Sequence, residues 1–327
     1  MTSSSSITRN RTRNSNITGG RTHIRYAVLV GPTAVGKTGV SLELAGDEFE
    51  IISADSVQVY RYLDIGSGKP DRAERERVRH YVIDSVEPDV AFTAGDFCRE
   101  ARAAVDTIVL RGRKPLIVGG TGLYIDSFFQ GLSEIPEIST EVREAVKEEA
   151  ASRGLQALHE ELVRIDPAFG ARIHPNDRQR ITRGIEVFRG TGRPLSSYFG
   201  SKQRYGTGDA LFIGLNDDRA NLQKKIDDRV DRMMERGFVE EVSSLRERGY
   251  GPGLKSMKSI GYAELNEYLD GVMGLEDAVS AIKTVTRQYA KRQMTWFRKN
   301  ERINWFGPGN VKKIAELLQR WLDGGLK

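Results

Sequence analysis

Gly31-Pro32-Thr33-Ala34-Val35-Gly36-Lys37-Thr38 has the spacing G-x-x-x-x-G-K-[ST] of a phosphate-binding loop. Glycines let backbone N–H groups turn inward on an anion, and the N-terminus of a following helix adds positive potential. Lys37 supplies a cation and the Thr38 hydroxyl can hold Mg²⁺. At average residue usage the four fixed positions would arise by chance in a chain of this length about once in a hundred. The second reactive candidate is Asp55, which follows the apolar run Phe49-Glu50-Ile51-Ile52-Ser53-Ala54. Its carboxylate can assist a magnesium ion through water, act as a general base, or merely cap the next turn.

Such groups need elements to hold them. The run Tyr26-Ala27-Val28-Leu29-Val30 predicts a buried strand before the loop, and Val40, Leu42, Leu44 and Ala45 fit a helix after it. A strand over 49–54 delivers Asp55 to the carboxyl edge of a sheet, where ligands collect in open α/β folds, so Asp55 and the loop should share one cleft. Lys114-Pro115-Leu116-Ile117-Val118 predicts a further strand, and Gly119-Gly120-Thr121-Gly122 then turns into a helix, bringing Thr121 to the same edge. Residues 80–84 read as another short strand, and Thr93 caps a helix carrying Phe97, Ala101, Ala104, Val105 and Ile108 on one face. The strand ending at Val118 runs into glycines where many phosphate-loop enzymes place an acidic metal ligand. Asp55 and Asp84 are the strand-end acids that remain. Phosphoryl transfer is therefore not compelled, and a diphosphate leaving group is admissible.

The 327 residues, 39% hydrophobic and 29% charged, suit one large α/β domain or a core with a smaller insertion. No run of eighteen apolar residues occurs, so no membrane span is expected. The single Cys98 excludes an intramolecular disulfide or a cysteine-based zinc site and fits a reducing cytosol. A net charge of +5 carries meaning only through its distribution. Residues 1–23 hold Arg9, Arg11, Arg13 and Arg21 with almost no apolar content, and a disordered basic tail is expected there in preference to an organelle transit peptide, which would show an amphipathic apolar face.

The second half is more charged. Residues 133–137 are a proline-containing break, 139–161 a charged helical stretch, and Asn176 or Asp177 can cap a helix with Ile181, Ile185 and Phe188 on one face. Arg178, Arg180 and Arg183 suit an RNA backbone or a solvated helix surface equally well. Residues 190–208 read as a linker back to the core, and 211–215 as a late strand. Arg219 and Arg229 follow on the next helix, and one of them could reach a phosphate in the cleft. Over 284–299, Arg287 and Lys291 interleave with Tyr289, Trp296 and Phe297, a pattern that fits nucleic acid or simply a half-buried helix.

The phosphate loop, Asp55-Ser56-Val57-Gln58-Val59-Tyr60, Gly119-Gly120-Thr121-Gly122-Leu123-Tyr124, Pro175-Asn176-Asp177-Arg178-Gln179-Arg180 and Thr286-Arg287-Gln288-Tyr289-Ala290-Lys291-Arg292-Gln293 together resemble the tRNA dimethylallyltransferase family. The motifs stand in family order from about Tyr26 to Phe306. Departures are Gly184 for a usual alanine, His80-Tyr81 for a His-His pair, and Lys258-Ser259 before Ile260-Gly261-Tyr262.

The resemblance implies an α/β, P-loop NTPase-like core with a parallel sheet flanked by helices (24–132 and 201–327). A small helical insertion domain (133–200) would hold the tRNA anticodon stem. It implies transfer of the dimethylallyl group of dimethylallyl diphosphate to N6 of adenosine 37, which is flipped out of its stack, with release of diphosphate. By the same likeness Asp55 is the base, with Thr121 beside it. Lys37, Thr38 with Mg²⁺, the amides of residues 31–38 and Arg219 hold the diphosphate. Asp55, Ser56, Val57, Gln58, Thr121, Arg143, Gln179, Arg180, Ile181, Thr182 and Arg183 face the tRNA. A cytoplasmic monomer of bacterial type is expected, since Cys98 alone cannot form the zinc finger of eukaryotic relatives. Two alternatives are an adenylate prenyltransferase, disfavoured by the long insert, and a nucleoside or nucleotide kinase.

Overall fold

Tyr26 to Val30 are fully buried, as a parallel strand covered on both faces must be. The computed structural model describes residues 24–200, 202–206 and 208–325, so the basic tail expected over 1–23 lies outside the described residues. The first strands and helices are β1 (Ile24–Val30), α1 (Lys37–Ala45), β2 (Phe49–Ala54), α2 (Arg72–Arg77), β3 (His80–Tyr81), α3 (Ala94–Leu110), β4 (Lys114–Gly119) and α4 (Gly122–Gln130). Then come β5 (Leu132–Ser133), the helices α5 (Thr140–Ser152), α6 (Leu155–Ile165), α7 (Pro167–Gly170) and α8 (Arg178–Thr191), and β6 (Lys202–Gln203). The chain continues through β7 (Gly208–Leu215), α9 (Arg219–Glu235), α10 (Phe238–Glu247), α11 (Tyr262–Leu269), α12 (Leu275–Phe297), β8 (Ile303–Phe306) and α13 (Val311–Leu322).

Six strands form one sheet in the order β3-β2-β4-β1-β7-β8, every pair parallel. The α/β class expected from the apolar runs is the class observed. Side chains alternate between its faces: Tyr26, Val28 and Val30 join Phe97, Ile108 and Phe128 on one side, while Ala27 and Leu29 join Val40, Leu44, Ile314 and Trp321 on the other. β1 and β4 lie at the centre, so the turns that follow them, the phosphate loop and Gly119 to Gly122, sit side by side at the carboxyl edge. That neighbourhood is tight. A Cβ on Gly119 would lie 2.1 Å from the carbonyl oxygen of Ala54, its register partner on β2. Gly119→Ala is therefore expected to destabilise the fold by about 1–3 kcal/mol, read as a lowered Tm. A variant melting with the parent would contradict this strand register.

Local chemistry explains the borders. Thr93 and Asp96 form a reciprocal capping box at the start of α3, and Asp71 with Glu74 does the same for α2, none of whose residues is buried. α12 begins at Leu275, well before the segment expected from residue 284, because Ala278 and Ile282 extend its buried face upstream. The strand expected over 80–84 stops after Tyr81. Val82 and Asp84 take left-handed φ values of 59° and 54°, which turns the Asp84 carboxylate onto Lys69 (2.5 Å) and Arg75 (2.6 Å). Burial opposes its charge, but these two cations outweigh it and hold the carboxyl below its usual range.

Between β5 and β6, which pair antiparallel, the helices pack on one another. Val146, Leu158, Leu162, Ile181 and Ile185 form one apolar cluster, with Ile138, Val187, Leu195 and Tyr198 forming another. Leu195–Tyr198 is a short 3₁₀ helix, so this part of the expected linker is packed structure. Buried Asp166 fixes it by accepting hydrogen bonds from the backbone N and hydroxyl of Ser196 at 2.8 and 2.6 Å.

Candidate active site

The turns after β1 and β2 open into one cavity of about 500 Å³ whose walls include Lys37, Thr38, Asp55, Ser56, Gln58, Arg229, Tyr289 and Gln293. Ala34 and Gly36 adopt φ values of 63° and 101°, which curl the loop around its own amides. Lys37 Nζ is folded beneath it and donates to the carbonyls of Gly31 (2.9 Å) and Pro32 (2.8 Å). Burial lowers its pKa to about 8; nearby Asp55 opposes the shift and Arg229 reinforces it. Val35 points into the core and anchors the loop.

Asp55 sits where β2 ends. Its Oδ1 accepts from the backbone N–H of Val57 (2.9 Å) and Gln58 (3.3 Å), so it does cap the following turn. Its Oδ2 takes no hydrogen bond among the described residues and is available to a ligand. Thr121 Oγ1 accepts from the Ser56 N–H at 3.1 Å, tying the glycine turn after β4 to the turn that carries Asp55. Thr38, Ser53, Asp55 and Gln58 also surround a small hollow of about 40 Å³ under the loop.

The structure does not gather every expected residue. Arg219, the first residue of α9, lines a different pocket with Leu222, Gln288 and Arg298. The guanidinium in the cleft is that of Arg229, which donates to Thr33 Oγ1 (3.1 Å) and to the Ser67 carbonyl (3.3 Å). Burial lowers its pKa, with Asp55 working against that shift. One helix carries both arginines, and the usable signal was position: Arg229 lies against Val230 and Met233, on the side facing the core. Gln293 enters the sequence reading only as the last residue of the Thr286 to Gln293 motif, with no role of its own. It accepts from the Thr33 N–H at 2.8 Å and donates to the Gly120 carbonyl at 3.0 Å, so the Thr33 amide is unavailable to an anion. Tyr289, one turn earlier on α12, has its phenol pushed up to about 12 by burial and by the charge of Asp55.

On the helical segment, Arg143, Gln179 and Thr182 share a hollow with Lys147 and Arg178. Arg180 pairs with its cap residue Asp177, and Arg183 lies 3.5 Å from Glu186. Ile181 is fully buried in the helical cluster, so its side chain seats α8 and does not reach the surface.

A family model described as IPP transferase matches residues 58–300. The chain belongs to the IPP transferase family. A tRNA dimethylallyltransferase of Geobacter sulfurreducens is 44% identical over 304 residues, spanning 91% of this chain and 96% of that protein. One from Syntrophobacter fumaroxidans is 46% identical over 306 residues, 92% of this chain and 89% of the other. Among solved structures, the full-length tRNA isopentenylpyrophosphate transferase of Bacillus halodurans superimposes with a TM-score of 0.67 at 37% identity, covering 92% of this chain and 97% of that one. A eukaryotic dimethylallyltransferase acting on tRNA gives 0.78 at 27% identity, over 92% and 80% of the two chains. The solved structures thus share this chain's overall course. No helix among the described residues is long and apolar enough to cross a membrane.

Proposed function

We propose that this IPP transferase family member moves the dimethylallyl group of dimethylallyl diphosphate to N6 of adenosine 37 of tRNA and releases diphosphate. The observation that carries the reading is one cavity lined by Lys37, Arg229 and Asp55 together. The N6 lone pair is delocalised into the purine ring, so attack on the allylic C1 requires a base to remove a proton as the bond forms. Asp55 Oδ2 takes that proton. The C1–O bond breaks with its electron pair leaving on diphosphate, and charge growing on the leaving oxygens is met by Lys37, Arg229 and the loop amides. Thr121 aligns the Asp55 turn through Ser56.

A magnesium ion fits these residues. Mg²⁺ keeps several waters and takes few protein ligands, and Thr38 offers a hydroxyl beside the small hollow near Asp55. When bound it would neutralise diphosphate charge.

The helical segment over 133–200 is read as the part that holds the anticodon stem, with Arg143, Gln179 and Thr182 facing phosphates. A stacked base cannot reach a cleft at the ends of strands, so adenosine 37 is turned out into it. Incubation with dimethylallyl diphosphate and unmodified tRNA should give N6-prenylated adenosine at position 37 and none from AMP. Prenylation of AMP with tRNA untouched would establish the free-nucleotide enzyme.

A pH dependence follows from Lys37. Its pKa near 8 leaves the ammonium charged below that value and neutral above it, whereas diphosphate binds the charged form. The KM for dimethylallyl diphosphate should therefore rise as pH increases through 8, and Lys37→Arg, which stays charged, should remove that rise. A flat wild-type profile between pH 7 and about 9.5 would contradict this assignment.

A further inference from the structure

Beyond the catalytic cleft, the α4 face bears a further cavity of about 480 Å³, lined in part by Asp126, Phe129, Gln130, Arg180, Trp296 and Lys299. Trp296 is 37% exposed, and an exposed indole is ordinarily free to change rotamer. Here it is fixed at both sides. Its Nε1–H donates to Asp126 at 2.8 Å, and its ring lies so close to Gly122 that a Cβ there would be 2.3 Å from Trp296 Cδ1. Gly122 immediately follows Thr121, which places this rigid aromatic plane one residue from the group tied to the Asp55 turn. Arg180, which also pairs with Asp177, Lys299 and Arg302 bring three positive charges to the same cavity against the two carboxylates of Asp126 and Glu301. The side chains of Gln130 and Lys299 make no hydrogen bond or ion pair among the described residues.

We propose that Trp296 is a stacking platform for a nucleobase next to the target adenosine, held in this cavity while adenosine 37 occupies the catalytic cleft. The proposal rests on the tRNA reading above. A preorganised aromatic face accepts any base without loss of rotamer freedom, and Arg180 and Lys299 meet the phosphates that flank it. Holding a neighbouring base stabilises the opened anticodon loop, which would otherwise restack and withdraw adenosine 37.

The test uses anticodon stem-loop RNA carrying 2-aminopurine at position 36 or 38, bound to the full-length protein. Fluorescence at one of these positions should be quenched in the wild-type complex and several-fold brighter with Trp296→Ala. Trp296→Phe, which keeps a ring, should remain quenched. Trp296→Ala should also raise the KM for tRNA about ten-fold while the KM for dimethylallyl diphosphate stays unchanged, since base stacking on an aromatic is worth roughly that much. Equal fluorescence of the Trp296→Ala and wild-type complexes at both positions, or a changed KM for the diphosphate alone, would overturn the platform. Failure of the wild-type protein to bind the stem-loop at all would overturn the tRNA reading itself.

Discussion

Asp55→Ala should lower kcat by about 10²- to 10⁴-fold, the usual contribution of a general base, while the Kd for tRNA changes by no more than a few fold. The geometry supports this separation. One carboxylate oxygen holds the turn through Val57 and Gln58, and the other is open to the cavity. Asp55→Asn sharpens the experiment, because its amide oxygen can still accept from both N–H groups but its nitrogen cannot accept a proton. Full activity in the asparagine variant with loss in the alanine variant would assign Asp55 to positioning. Equal loss of tRNA affinity and turnover in the alanine variant would say the same.

The second large effect is expected at Lys37. Removing its charge as Lys37→Met should cost about 10²- to 10³-fold in kcat, comparable to deleting one donor from a developing-anion site, with weaker binding of dimethylallyl diphosphate. Stability should move little or even increase, because the fold spends free energy to keep an ammonium out of water beneath the loop. That cost is visible in the lowered pKa, where burial outweighs the favourable charge of Asp55. A variant that loses activity only in proportion to unfolding would assign Lys37 to structure, through its bonds to Gly31 and Pro32.

The parallel core was legible because its strands are continuous apolar runs bounded by glycine turns or an acid. This also located Asp55 and Thr121, since a residue just past a parallel strand can only emerge at the carboxyl edge. β3 is shorter than the strand expected over 80–84, because nothing in Val82-Ile83-Asp84 announces the left-handed turn that the Lys69 and Arg75 pairing accompanies. Arg219 and Arg229 were indistinguishable by residue type, and their separation depends on which face of α9 meets the cleft. Gln293 was least accessible of all. An amide that bridges Thr33 and Gly120 across 260 and 173 residues leaves no local pattern. Ile181 shows the reverse case, where a residue inside a polar motif proves to be the part that holds its helix to the helical cluster.

In this reading the phosphate loop holds a departing diphosphate, and phosphoryl transfer is not its task. The most direct measurement is a single turnover on unmodified tRNA with dimethylallyl diphosphate labelled in both the prenyl group and the phosphate, run with and without γ-labelled ATP. One diphosphate should be released for each prenyl group attached to adenosine 37, at the same rate in both reactions and with no γ-phosphate consumed. Transfer of the ATP γ-phosphate with no prenyl group reaching the RNA would contradict it.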